Sequence, residues 1–137
     1  MLGRNLTFYN PSNIELGSDT YIAFGCWFCA DAPIKLGDSV MFGPYCVVSS
    51  GNHTLDRGSY RHGSTTRMPI HVGHGTWVGA HAVLTAGTNI GRACLVAAGA
   101  VVNGEVPDGS AVGGVPARTL HTRAAAAAGT QPSPAAG

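Results

Sequence analysis

The sequence has few charged residues, no long apolar run and no helical periodicity. Only 11% of its 137 residues are charged and the net charge is +1, so nothing in it favours nucleic acid or an anionic membrane as a partner. No stretch approaches the roughly 20 apolar residues that span a bilayer, and the N-terminus lacks the layout of a signal peptide. We therefore expect one cytoplasmic domain with neither nucleic-acid nor membrane partners.

A metal-binding motif is also missing. Cys26 and Cys29 form a C-x-x-C, but neither a second C-x-x-C nor a spaced histidine pair accompanies it. Cys26, Cys46 and Cys94 fall instead in a column of small residues described below, which favours buried thiols. No metal is predicted.

What the sequence does contain is an apolar residue at every sixth position. Six residues fit neither a helix nor a simple alternating strand, but they suit short strands that turn a corner and stack into a solenoid. Three hexapeptides per coil predict four coils, and 20 glycines are consistent with so many corners. The key positions are Leu16, Ile22, Phe28, Leu36, Phe42, Val48, Val72, Val78, Leu84, Ile90, Val96 and Val102.

A second column lies four places after each key position, where the alternation of a strand directs side chains inward again. It is small or apolar except at Asn52. Its other members are Thr20, Cys26, Ala32, Val40, Cys46, Thr76, Ala82, Thr88, Cys94, Ala100 and Val106.

The register breaks between residues 49 and 69, and this insertion is the functional candidate. A flat coil has no pocket, whereas a loop on a rigid scaffold can wall off a cleft. His53 stands at the root of the insertion. Its position suits a firmly held catalytic group, but spacing alone is equally consistent with a solvated loop histidine.

Three segments carry a resemblance to a known family: Gly-Asn-His-Thr-Leu-Asp at 51–56, Trp-Val-Gly-Ala at 77–80 and Gly-Gly-Val-Pro-Ala-Arg at 113–118. Together with the hexapeptides, they resemble the left-handed β-helix acyltransferases, the galactoside, maltose and xenobiotic O-acetyltransferases and related polysaccharide-modifying enzymes. The resemblance covers residues 12–121. It implies an all-β, left-handed parallel β-helix of about four coils over residues 1–121, with a protruding loop at about 49–69 and a short C-terminal extension. The Ala- and Pro-rich residues 122–137 are predicted to be a disordered tail.

The resemblance implies an O-acetyltransferase that uses acetyl-CoA as co-substrate. His53 matches the general base, which takes a proton from the acceptor as it attacks the thioester directly. An imidazole suits this role because its ordinary pKa of about 6.5 leaves it mostly neutral. Asp31 matches an acceptor-binding acid, although a corner aspartate can also cap its own turn. Asn52 and Asp56, from the same segment as His53, are assigned to the acceptor as well.

On the donor side, the resemblance assigns small residues to the pantetheine arm, which must approach the main chain closely. Asn103 and Arg118 match positions near the adenosine 3′-phosphate of CoA, where an arginine can bind phosphate. The donor-binding residues are Trp77, Gly79, Ala80, Ala98, Gly99, Asn103 and Arg118. Two departures from the family pattern are Gly104 in place of a common lysine, and Ala23 in place of an asparagine near the acceptor.

The resemblance further implies a homotrimer, with His53 facing the donor-binding rungs of a neighbouring chain. Outward aromatic candidates for such contacts are Trp27, Phe8 and Tyr9. The acceptor stays open between a sugar hydroxyl, an amino sugar and an antibiotic hydroxyl. Other functions for the same solenoid are N-acetylation of an amino sugar, a non-enzymatic scaffold or binding module, and a γ-class carbonic anhydrase, whose histidine pair five residues apart is missing here.

Overall fold

The computed structural model describes residues 1–123, which form three sheets around a triangular core. Their strand pairs are parallel except for the antiparallel pair of Ser110–Gly113 with Arg118–Thr122. The winding is that of a left-handed β-helix. Of the tail predicted at 122–137, all but the first two residues lie outside the described part of the chain. Within residues 1–123, no helix is long and apolar enough to cross a membrane.

Most strands contain only two or three residues, as the hexapeptide pattern requires. The first sheet contains, in spatial order, β16 (Glu105–Val106), β13 (Asn89–Ile90), β10 (Ile70–Val72), β5 (Ile34–Leu36) and β2 (Ile14–Leu16). The second contains β18 (Arg118–Thr122), β17 (Ser110–Gly113), β14 (Leu95–Val96), β11 (Trp77–Val78), β6 (Met41–Phe42) and β3 (Tyr21–Ile22). The third contains β1 (Thr7–Tyr9), β4 (Trp27–Cys29), β7 (Val47–Ser49), β12 (Val83–Leu84) and β15 (Val101–Val102). A separate antiparallel hairpin joins β8 (Gly51–His53) to β9 (Thr65–Arg67), and a 3-10 helix occupies Pro11–Asn13.

The strand register confirms the predicted fold class. Key positions of successive coils lie side by side; Leu16 pairs with Leu36, Leu36 with Val72, and Val72 with Ile90. The second column is buried at every predicted position except Asn52. Stacking these columns removes a continuous apolar interior from water, which is the main stabilising contribution in such a fold.

The β-helix has about five coils, whereas about four were predicted. β1 adds a partial turn below β4, with Phe8 opposite Phe28, and β16 and β17 extend the top. Phe8 therefore packs against the core, and its prediction as an outward aromatic was wrong. The 3-10 helix interrupts the spacing between Phe8 and Leu16, so this turn was not visible as a hexapeptide run.

The cysteines are free thiols, and three of them are buried in the stacked columns. Cys26 Sγ donates to the carbonyl oxygen of Gly43, and Cys46 Sγ to that of Gly79, each at 3.1 Å. The neighbouring Cys26 thiol and burial raise the pKa of Cys46. Both groups are structural parts of the core.

Two corners of the triangular coil matter for function. The alanine edge, between the second and third sheets, includes the turns at 43–45, 79–81 and 97–99. The hairpin edge, between the third and first sheets, includes the bend at 30–33, the hairpin between residues 50 and 69, and the turns at 85–88 and 103–104. One sheet width separates the two edges.

Removal of the Phe28 ring is expected to test the aromatic stack in the lower coils. Phe28 is fully buried, and its ring centroid lies 5.4 Å from both Phe8 and Phe42. Phe28→Ala should lower the free energy of unfolding by about 3–5 kcal/mol, because it leaves a cavity. Urea denaturation measures the change. Tyr60→Ala, at a loop residue 63% exposed, is the control and should change stability by less than about 0.5 kcal/mol.

Candidate functional site

The hairpin edge holds His53 on a base that is pinned to the coil. The chain leaves the third sheet after Ser49, and the hairpin begins at Ser50, which is fully buried. Ser50 Oγ accepts a hydrogen bond from the Ala32 amide at 2.8 Å and lies 2.8 Å from the Ala32 carbonyl oxygen, to which it donates. Met68 closes the base, since its amide donates to the Ser50 carbonyl at 3.0 Å. The hairpin is therefore fixed where it starts and where it ends.

His53 lies at the end of β8, opposite Thr65, with its side chain exposed. Its own amide donates to Asn52 Oδ1 at 3.1 Å. Asn52 is exposed, so its place in the inward column was wrong: the strand has already left the coil there. Asp56 lies farther out in the loop, where Oδ2 forms an ion pair with Arg57 Nε at 3.1 Å.

Asp31 is packed against the base of the same hairpin. A Cβ on Gly51 would meet Asp31 Oδ2 and lie 3.1 Å from its Cγ, so a larger residue at 51 would displace the carboxylate from its present position. Asp31 Oδ1 accepts a hydrogen bond from Asn10 Nδ2 at 3.2 Å, and Cys29 Sγ lies 3.9 Å from the same oxygen. Partial burial and the Asp31 carboxylate raise the pKa of Cys29. Asp31 thus lies against Gly51, which precedes His53 by two residues in the same strand.

The alanine edge gathers most of the predicted donor-binding residues. The coils stack so closely that a Cβ on Gly79 would lie 2.6 Å from the Ala98 nitrogen and 2.8 Å from the Val96 carbonyl oxygen. Gly99 has a φ of +72°, which glycine adopts without strain, and its amide donates to the Ala80 carbonyl at 2.8 Å. Trp77 precedes this edge on the second sheet and is 48% exposed.

The amides of Ala80 and Ala98 have no protein acceptor within residues 1–123. At the same place in the turns between the first and second sheets, the amide of Ser18 is capped by Asp38 Oδ1 at 2.8 Å and that of Arg92 by Asp108 Oδ1 at 2.7 Å. The amides of Asp38 and His74 there also have no protein acceptor within residues 1–123. On the alanine edge, the side chains of Ala80 and Ala98 are only methyl groups, while the larger Tyr45 and His81 side chains lie in the turns at 43–45 and 79–81. A slender polar chain lying along this edge could accept hydrogen bonds from both.

The sequence analysis missed Tyr45 at the alanine edge and Asn10 at the hairpin edge. Tyr45 stacks on His81 with ring centroids 5.2 Å apart, and both residues have positive φ angles, 60° and 59°. Both stand three places after a key position in adjacent coils, so the repeat itself could have indicated the pair. Asn10 was missed because nothing local in the sequence connects it to Asp31.

The structure does not bring all the predicted residues together in one chain. Asn103 is exposed on the hairpin edge, across the third sheet from Ala98. Arg118 is exposed at the start of β18, and its Nη1 donates to the Ala117 carbonyl at 3.0 Å. Ala23 is buried and cannot contact an acceptor. His53 and the alanine edge occupy different corners of the prism.

Two further features bear on the site. Among residues 1–123, no group of three His, Cys, Asp or Glu side chains could hold a metal ion. An open groove of about 460 Å³ lies on the first sheet beside the hairpin base, lined by Met68, Pro69, His71, Gly87, Thr88, Asn89 and Glu105. It includes none of the predicted site residues, so size alone does not identify the site here.

Comparisons with known proteins agree with the fold. No protein-family model matches the chain. A galactoside O-acetyltransferase of Escherichia coli is 29% identical over 114 residues, which cover 83% of this chain and 56% of that protein. This chain therefore spans about half the length of that relative.

Solved structures give a closer correspondence. A galactoside acetyltransferase in complex with coenzyme A superposes with a TM-score of 0.81 and 28% identity, covering 88% of this chain and 64% of that one. A hexapeptide-repeat acetyltransferase of Vibrio cholerae superposes with a TM-score of 0.76 and 32% identity, covering 89% of this chain and 72% of that one. The same Vibrio protein complexed with acetyl-CoA gives a TM-score of 0.82 at 33% identity, covering 88% and 66%. At 32% identity over 72% of the Vibrio chain, this chain belongs to the hexapeptide-repeat acetyltransferase family.

Proposed function

We propose that this chain is an acetyl-CoA-dependent O-acetyltransferase acting on a sugar or another small hydroxyl acceptor. The observation that carries the proposal is the pair of amides at Ala80 and Ala98, which have no protein acceptor within residues 1–123 and belong to residues whose own side chains are only methyl groups. Coenzyme A or acetyl-CoA is bound in the related structures, and its pantetheine arm is a slender chain with amide groups.

His53 is the proposed general base. Its imidazole takes the proton of the acceptor hydroxyl while the oxygen attacks the thioester carbonyl, and the resulting imidazolium returns a proton to the departing CoA sulfur. The products are the acetyl ester and free CoA, with no acyl-enzyme. The pinned base at Ser50 supports this role, because a general base must keep its geometry.

Asp31 is a proposed acceptor-binding residue. One of its oxygens already accepts from Asn10, and the other lies against Gly51 at the root of the His53 hairpin. A carboxylate in this position can accept a hydrogen bond from a second hydroxyl of the acceptor and orient it toward His53. The exposed side chains of Asn52 and Asp56 can contact the far side of the same acceptor.

We further propose that the site is shared between copies of the chain in a homotrimer. His53, Asp31 and Asn103 lie on the hairpin edge, whereas Ala80 and Ala98 lie one sheet away on the alanine edge. Docking the hairpin edge of one chain against the alanine edge of the next joins base and donor. Repeating this head-to-tail contact around a threefold axis closes a ring. Arg118, with Asn103, is the proposed contact for the nucleotide end of CoA.

Removal of the imidazole tests the base. His53→Ala should lower acceptor-dependent release of CoA from acetyl-CoA by about 100-fold or more, measured with a panel of sugars, amino sugars and other alcohols. His62→Ala is the matched control, since His62 is an exposed histidine of the same loop. Activity unchanged in His53→Ala would show that the base lies elsewhere.

A bulky side chain on the alanine edge tests donor binding. Ala98→Leu should raise the KM for acetyl-CoA roughly tenfold or more, because the isobutyl group covers the path beside the free amide. His74→Leu changes an exposed residue at the same place in a turn of another edge and should leave this KM unchanged. Equal effects of both variants would indicate general damage to the coil rather than a donor site.

Mixing the two impaired variants tests the shared site, at an acetyl-CoA concentration low enough that the roughly tenfold higher KM leaves Ala98→Leu with about a tenth of the wild-type activity or less. Unfolded and refolded together in equal amounts, His53→Ala and Ala98→Leu chains should recover about a quarter of the wild-type sites, since each interface draws its two chains at random. Light scattering should give three times the 14.0 kDa chain mass. Recovery of no activity from a mixed trimer would place the whole site within one chain.

A further inference from the structure

We propose that Asn10, which the repeat pattern does not mark, is a positioning residue that orients the Asp31 carboxylate toward the acceptor. The inference deepens the proposed function and rests on it, because Asp31 is given its acceptor-binding role there. Asn10 acts through Asp31 and has no assigned contact with the donor.

The first support is that the Asn10 side chain is not used where its position would ordinarily use it. Asn10 is the N-cap of the 3-10 helix Pro11–Asn13, yet its side chain makes no capping hydrogen bond. An asparagine at this place usually accepts from an amide of the first turn. Here the side-chain Nδ2 instead donates to Asp31 Oδ1 at 3.2 Å, across 21 residues of sequence.

The second support is that the whole N-terminal turn is fastened to the strand end that carries Asp31. The Ala30 amide donates to the Tyr9 carbonyl at 3.1 Å, and Asn13 Nδ2 donates to the Ala30 carbonyl at 2.9 Å. Asn10 lies between these two contacts with a φ of 54°, a left-handed conformation that asparagine tolerates better than most residues. The side-chain carboxamide of Asn10 is therefore held in place by the neighbouring backbone contacts as well as by its hydrogen bond to Asp31.

The third support is that the two oxygens of the Asp31 carboxylate have different surroundings. Oδ1 receives Asn10 Nδ2 and faces Cys29 Sγ, whereas Oδ2 lies against Gly51, at the root of the hairpin that bears His53. Occupying Oδ1 fixes the rotation of the carboxylate and leaves Oδ2 for an acceptor hydroxyl.

Kinetics test the positioning role. Asn10→Gly permits the left-handed backbone conformation and removes the whole side chain, including the carboxamide that contacts Asp31. It should raise the KM for the acceptor about tenfold, while the KM for acetyl-CoA stays unchanged. Asn5→Gly is the matched control, because Asn5 also has a φ of 54° and is exposed in the same N-terminal turn. An unchanged acceptor KM in Asn10→Gly, in an enzyme that His53→Ala inactivates, would overturn the inference and leave the proposed function standing.

A readout independent of activity tests the contact itself. Cys29 is half-buried while the other three cysteines are at most 4% exposed, so iodoacetamide should modify Cys29 first. Asn10→Asp adds a negative charge beside Asp31 and should slow alkylation of Cys29 at pH 8 at least about threefold, since it disfavours the thiolate. Asn5→Asp should leave the rate unchanged. Equal rates in wild type and Asn10→Asp would mean that Asn10 does not approach Asp31 in solution, which overturns the inference whatever the enzyme's activity. If His53→Ala is fully active, the base lies elsewhere, and the proposal that Asp31 orients the acceptor toward His53 fails with it.

Discussion

Every feature of this protein depends on the close stacking of one coil on the next. Parallel strands pair in register through all three sheets, and at the alanine edge the backbones approach so closely that Gly79 has no room for a Cβ against Ala98. This contact fixes the vertical spacing of the coils at one strand separation, about 4.8 Å. Side chains in the same place of successive coils therefore form columns, inside as well as outside the prism.

The interior columns provide stability, and the exterior ones provide chemistry. Inside, aliphatic and small residues alternate and remove the core from water. Outside, the coil offers only flat faces and edges, so functional groups must come from turns that depart from the repeat. Two departures from the repeat are important. At the alanine edge, Ala80 and Ala98 carry only methyl side chains, and at the hairpin edge the chain leaves the third sheet and carries His53 outward. The first exposes backbone donors, and the second presents the imidazole that we propose as the base.

The hairpin edge also explains why an N-terminal segment has a functional position in a solenoid. Residues 9–13 lie one coil below Asp31 and are bonded to it and to Ala30. A carboxylate whose two oxygens have different surroundings has a defined orientation, which a lone aspartate at a solvent-exposed corner lacks. The same packing raises the pKa of the half-buried Cys29 thiol beside this carboxylate.

The sequence by itself determined the fold class, the inner columns and the place where the register breaks, because a six-residue period leaves few alternatives for burying a stripe of apolar side chains. It also indicated His53 and the small residues of the alanine edge. It failed at Phe8 and Asn52, since a period describes only residues that remain in the coil, and both lie where the chain enters or leaves it. Only the tertiary structure decided that Asn10 meets Asp31, that Tyr45 stacks on His81, and that His53 and Ala98 occupy different corners. Those relations depend on which turns stack and which edge each turn reaches, and no local pattern of residues encodes them.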